Sequence, residues 1–192
     1  STDGGGVMVT RNSGKRWEDS TFGINGMTVI TLAVAPDWSR YEIMFASAPD
    51  GVYMSRNGGR AWRPTSLMMD ELVDALVVSP AFEDDQTVFA GSEMGRLYIS
   101  TDGGRNWDML QEQIADGPIN ALWLAPDFAE TERMLAGIGS QIYASDDRGA
   151  SWSLATETPG AVLSLAGDGT VVLAGLHAAG VWKSEDVGQT WQ

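Results

Sequence analysis

Chemistry in this chain would have to come from a short supply of reactive side chains. It has no cysteine and one histidine, His177. Disulfides, Cys–zinc sites and thiol catalysis are therefore excluded, and a Ser-His-Asp triad or a His-rich metal centre has almost no material. His177 reads as a loop or packing residue. The glycines of GDG (167–169) and GIG (137–139) lack the third glycine and the helix that dinucleotide binding requires. Neither G-x-x-x-x-G-K-[ST] nor G-x-S-x-G occurs. The run EDD (83–85) lacks the spaced oxygen ligands of a calcium loop and reads as a solvated turn. No cofactor and no metal is expected. With 12 basic against 26 acidic side chains the formal charge is -14. Such a surface repels nucleic acid and anionic membranes, so neither is an expected partner. No apolar run approaches the ~18 residues of a membrane span. The opening STDGGGVMVT has neither the basic flank nor the apolar core of a signal peptide, and without an initiator Met it reads as cut from something longer. The compartment is left open, with an extracytoplasmic or cell-surface location favoured.

What recurs is an octapeptide. TRNSGKRW (10–17), SRNGGRAW (55–62), STDGGRNW (100–107), SDDRGASW (145–152) and SEDVGQTW (184–191) end on tryptophans spaced 45, 45, 45 and 39 residues apart. A fixed period in this range signals a repeat architecture. A second marker keeps step: LAVAPDW (32–38), LVVSPAF (76–82) and LWLAPDF (122–128), with LSLAGDG (163–169) as a fourth copy that has lost the Pro and the aromatic. Within a repeat, runs of five or six residues rich in Val, Ile, Tyr and Trp alternate with Gly and Asp, the pattern of four short antiparallel strands. SLMMDELVDALVV (66–78) imitates a helix, but its register matches an inter-repeat linker plus a first strand elsewhere. The fold predicted is an all-β propeller of four-stranded antiparallel blades. One domain holds an N-terminal half blade at 1–19 (strands three and four) and four full blades at 27–66, 72–111, 118–157 and 160–192. The two ends cannot complete one another's blade, which predicts a segment of a larger propeller.

The octapeptide supplies the turn between strands three and four. Asp102, Asp147 and Asp186, or Asn12 and Asn57 in two copies, are placed to accept from backbone N–H groups one or two residues ahead. Gly14, Gly59, Gly104, Gly149 and Gly188 fit a position of positive φ. The leading Thr10, Ser55, Ser100, Ser145 and Ser184 bond back into the turn, and Trp17, Trp62, Trp107, Trp152 and Trp191 fold their rings beneath it.

This S-x-D-x-G-x-x-W pattern resembles the Asp-box, or BNR repeat, of sialidases, xyloglucanase-type glycosidases, sortilin-type receptors and photosystem II assembly factors. The resemblance covers essentially the whole chain and implies the fold. In these families the box lies at the blade periphery, so it implies no activity. A sialidase-like site would need three arginines, a Tyr–Glu nucleophile pair and an acid/base Asp. Yet Arg56, Arg60, Arg105 and Arg148 sit in or beside the octapeptide turns, at the wrong end of the blades, and Tyr53, Tyr98 and Tyr143 share a strand-three packing column with Met8 and Trp182. A xyloglucanase-like site would need two carboxylates about 6.5–9.5 Å apart, for which Asp37, Asp116 and Asp127 are the candidates. The assembly-factor branch implies a scaffold role, although its expected basic patch is not visible. Trp123 and Trp38 are possible binding residues. Trp123 is the exception in a column with Ala33, Val77 and Ser164, placed to face the channel mouth. Trp38 lies in the loop after strand one, aligned with Phe82 and Phe128. The reading is a non-catalytic scaffold whose partner is another protein, the rest of its parent chain, or a second copy meeting an open blade end. The alternative is a fragment of a carbohydrate-active propeller, with a glycan as ligand.

Overall fold

The computed structural model describes residues 4–36, 38–68 and 70–192, with no account of the Ser39 side chain. Five antiparallel sheets follow one another along the chain. The first is the pair β1 (Met8–Val9) and β2 (Glu18–Asp19). The second runs β3 (Leu32–Val34), β4 (Met44–Ala48), β5 (Gly51–Ser55) and β6 (Arg63–Met68), each strand paired with its predecessor. The third holds β7 (Val73–Val78), β8 (Val88–Ser92), β9 (Leu97–Ser100) and β10 (Asp108–Gln111). The fourth holds β11 (Ile119–Leu124), β12 (Met134–Ile138), β13 (Gln141–Ser145) and β14 (Ser153–Glu157). The fifth has three strands, β15 (Val162–Gly167), β16 (Val172–Leu176) and β17 (Gly180–Ser184). Four strands were expected there. The fourth is present only as its first rung, where Lys183 and Gln192 exchange backbone hydrogen bonds of 2.9 and 3.0 Å.

The architecture is the predicted all-β propeller array, and its inner strands show why. Every residue of β8 (VFAGS) and β12 (MLAGI) is buried, because a neighbouring sheet covers each face. The outer strands β10 and β14 are exposed or half-buried throughout. Four apolar clusters fill the joints between successive sheets. Phe45, Phe89 and Leu135 occupy one strand-two position in three sheets and are fully buried. Each such side chain stabilises its joint by about 1.5–3 kcal/mol.

The loops expected after strand one contain single helical turns: α1 (Trp38–Tyr41), α2 (Phe82–Asp85) and α3 (Phe128–Thr131). Gln86 and Glu132 end two of them in the left-handed region, at φ 51° and 55°. The turn drives Phe82 and Phe128 inward, edge-on to Phe45 and Phe89 at 6.2 and 5.8 Å. The segment 66–78 is the end of β6, a linker and β7, as its repeat register predicted.

Candidate functional site

Strand direction divides each sheet into two ends. The turns carrying the octapeptides lie beside the one-turn helices, and backbone bonds tie the two together: Gly58 N–H to Glu42 O (3.0 Å), Gly103 to Gln86 (2.9 Å) and Arg148 to Glu132 (3.2 Å). The opposite end carries the strand-two to strand-three turns and the links between sheets.

At the box end, Ser100 Oγ accepts from the N–H of Asp102 (3.4 Å) and Gly104 (2.9 Å) and donates to Asp102 Oδ1 (3.0 Å). That oxygen accepts from the N–H of Arg105 (3.0 Å) and Asn106 (2.9 Å), and Oδ2 from Asn106 Nδ2 (2.6 Å). The carboxylate thus reaches three and four residues ahead, further than the one or two expected, because two consecutive residues adopt positive φ. Gly14, Gly59, Gly104, Gly149 and Gly188 lie at φ 80–85°, as predicted. The residue before each is also left-handed: Ser13, Gly58, Gly103, Arg148 and Val187. Asn57 closes its turn by the same geometry, through the Ala61 N–H at 3.0 Å.

Burial pushes the Asp102 carboxyl up, but the Asn106 and Ser100 hydrogen bonds outweigh it and hold it down at about 2. Asp186 is held at about 2 by Thr190 first, and Asp147 is lowered chiefly by Ser151. A carboxylate depressed in the folded chain stabilises it fully above the unfolded value near 3.8. That stabilisation is lost as the pH falls from there through about 2. Acid unfolding is expected in this window. Replacing Asp102, Asp147 and Asp186 by Asn, the residue that already closes the turn at Asn57, should flatten the pH dependence of the urea midpoint there. An unchanged slope would assign acid sensitivity to other carboxylates.

The opposite end holds a polar cluster that the sequence did not announce. Buried Glu71, in the link before β7, accepts from Ser92 Oγ (3.1 Å), Arg96 Nη1 (3.1 Å) and Tyr98 OH (2.7 Å). Burial, then the Glu71 hydrogen bond, pushes the Tyr98 phenol up to about 12. It stays protonated at neutral pH and serves as a donor. Tyr53 donates likewise to Asp50 (2.7 Å) and Tyr143 to Gln141 (2.9 Å). The tyrosine column therefore packs between sheets, as predicted, and caps this end with hydrogen bonds.

The carboxylates proposed for acid–base work do not converge. Asp116 lies in the link before β11, and Asp127 immediately precedes α3 beyond its other end. The intervening six-residue strand spans roughly 20 Å at ~3.3 Å per residue, far beyond an inverting pair. Asp37 lies outside the described residues. Trp123 does not face a channel mouth. It is 6% exposed, packed in the joint between the fourth and fifth sheets, with its indole N–H 3.4 Å from the Gly167 carbonyl. Its column partner in the fifth sheet is Ala166 and not Ser164, since Trp123 pairs with Leu135 and Ala166 with Leu173. Trp38 is half-buried in the first position of α1, not in a loop.

The box tryptophans show what the boxes do between sheets. Trp62 is 3% exposed, and its indole N–H donates to the Ser20 carbonyl at 2.6 Å, across the joint to the first sheet. Trp107, Trp152 and Trp191 donate to the carbonyl of their own box glycine and pack in the joint with the preceding sheet. Trp17, which has no preceding sheet among the described residues, is 57% exposed. The glycines are needed for space as well as for φ. A Cβ on Gly104 would lie 2.1 Å from Phe45 of the preceding sheet, and one on Gly188 would lie 2.6 Å from Leu135.

A family model described as photosynthesis system II assembly factor YCF48 matches residues 44–172, two thirds of the chain. The chain belongs to this family. No curated protein matches it. Among solved structures, it is similar to the GH74 enzyme of Niastella koreensis (TM-score 0.80, 17% identity), covering 100% of this chain and 34% of that one. The GH74 xyloglucanase of Xanthomonas campestris gives 0.77 at 19% identity, with the same coverage. The extracellular domain of a putative one-component system of B. thetaiotaomicron gives 0.69 at 13%, covering 94% and 25%. At these identities the likeness shows the fold alone. The chain spans a quarter to a third of these structures' length. Among the described residues of this family member, no helix is long and apolar enough to cross a membrane.

Proposed function

We propose that this family member works by binding protein, as a non-catalytic assembly scaffold, through the sheet faces at the two ends of its array. The observation that supports this is a break in a repeated column. Phe45, Phe89 and Leu135 are fully buried beneath the next sheet, whereas Leu173, at the same position in the fifth sheet, is 41% exposed. Leu163 and Val181 are exposed with it, and Met8 and Trp17 are exposed on the first sheet. Apolar side chains left exposed on the faces of the end sheets are what an interface would cover. Its occupant is another protein, a second copy or the remaining part of the chain's own propeller. The family's description as an assembly factor supports the same reading. The extracellular domain among the structural neighbours supports an extracytoplasmic or cell-surface location.

Size-exclusion chromatography with light scattering, run with an apolar-surface dye, tests it. We expect association or dye binding at micromolar concentration, and loss of both in Leu173→Glu/Val181→Glu with the melt preserved. A compact monomer that binds no dye would contradict the reading. Polysaccharide turnover abolished by Asp116→Asn or Asp127→Asn would replace it with the carbohydrate-active alternative.

A further inference from the structure

Among the described residues, eight of the chain's 12 basic side chains are held in ion pairs. The remaining four are Lys15, Arg56, Arg63 and Arg105. Three of these four line a single cavity of about 450 Å³, together with Met54, Asn57 and Ala61. Arg56 and Asn57 belong to the box turn between β5 and β6, Arg63 opens β6, and Arg105 comes from the box of the next sheet. The cavity therefore lies between two consecutive boxes. Among the described residues these three guanidiniums have no carboxylate partner. Burial, and then the charge of Arg105, lowers Arg56 from its usual range, and the opposing charge of Asp102 only partly offsets them. The nearby Asp102 carboxylate is engaged by four donors of its own turn.

Comparison with the other repeats shows that this charge is peculiar to one site. In the first box Arg11 and Arg16 both approach Glu18, at 3.9 and 3.5 Å. The residue in that position one repeat later is Arg63, so the internal counterion has become a third cation. Two repeats further on from Arg56, the matching cavity of about 210 Å³ is lined by Asp146, Asp147 and Ser153 where Arg56, Asn57 and Arg63 stand here. One backbone frame thus carries opposite charge in two sheets. Packing does not require this, because the frame is built either way.

We propose that the cavity between the second and third boxes binds a compact multivalent oxyanion, a small polycarboxylate or phosphate, through Arg56, Arg63 and Arg105. Guanidinium forks meet both groups with paired, charge-assisted hydrogen bonds. The volume falls within the range of about 300–1,000 Å³ typical of small-molecule sites. The net charge of -14 repels a polyanionic macromolecule more strongly than it does a small ion of few charges. The inference is independent of the protein-binding reading.

Calorimetric titration of the chain with citrate and with pyrophosphate, at low ionic strength, tests it. One-to-one binding of either is expected, and the tighter of the two identifies the carboxylate or phosphate class. Arg56→Gln and Arg105→Gln should each weaken binding by about tenfold or more, as for lost charge-assisted bonds. Arg60→Gln, whose guanidinium pairs with Glu42, should change it by less than about twofold, as for an exposed pair. Arg63→Glu restores the carboxylate of the first repeat, and should abolish binding while raising the melting temperature. Thermal melts of the Gln variants within a few degrees of the parent would exclude misfolding as the cause of lost binding. No saturable binding of either anion would overturn the proposal. So would binding that survives the Arg56→Gln/Arg105→Gln pair, or binding of an oligoglutamate peptide alone.

Discussion

Gly104→Ala is expected to destabilise the chain by about 2–5 kcal/mol. The left-handed backbone at φ 81° accounts for about 1–2 kcal/mol. Placing a Cβ 2.1 Å from the Phe45 ring accounts for about 1–3 more, the usual cost of overpacking. The ring cannot swing away, because it is fully buried and held edge-on by Phe82. Gly14→Ala provides the control. Its φ is 82°, yet a Cβ there meets nothing within 4 Å, so it should lose only the ~1–2 kcal/mol backbone term. Urea unfolding of the two variants separates conformation from contact. Equal losses would mean that the box glycine serves its own turn alone.

Trp62→Ala is expected to cost about 3–5 kcal/mol, as for other fully buried aromatics. The ring fills the joint between the first two sheets, and its N–H satisfies the buried Ser20 carbonyl. Ser20 in turn donates to Gly59 O at 2.6 Å, so one substitution loosens both sides of the joint. Trp17→Ala, at the matching but exposed position, should fall within about 0.5 kcal/mol of the parent. If both variants melt alike, the tryptophans do not join sheets.

The fold was legible because its signals are local and repeated. A period of 45 residues, strand-length apolar runs and a glycine fixed at positive φ each follow from a few adjacent residues. Contacts across joints leave no such mark. Phe45 and Gly104 are 59 positions apart, and nothing in either repeat says that one fills the space the other leaves. Trp123 read as a channel residue because it breaks its column. The column was misaligned by two in the last repeat, and the ring is accommodated by Gly167 across the joint, where a Cβ would lie 3.2 Å from the indole nitrogen. Asp116 and Asp127 read as candidates because both lie on loops beside an inner strand, but that strand separates them. The one-turn helices escaped because four residues carry no helical period. The arginine cavity was hidden for a related reason. Arg56 and Arg63 look like box-flanking surface charges until Arg105 of the next sheet is brought beside them.

The central claim is that the octapeptides are joints between sheets as well as turns within them. A double-mutant cycle on Phe45→Val and Gly104→Ala tests it most directly. If the ring is what crowds the Cβ, trimming it to Val should relieve most of the overpacking, so the double variant's loss should fall short of the sum of the two single losses by about 1–3 kcal/mol. Additivity within about 0.5 kcal/mol would contradict the account, and would leave each box as the private turn of its own sheet.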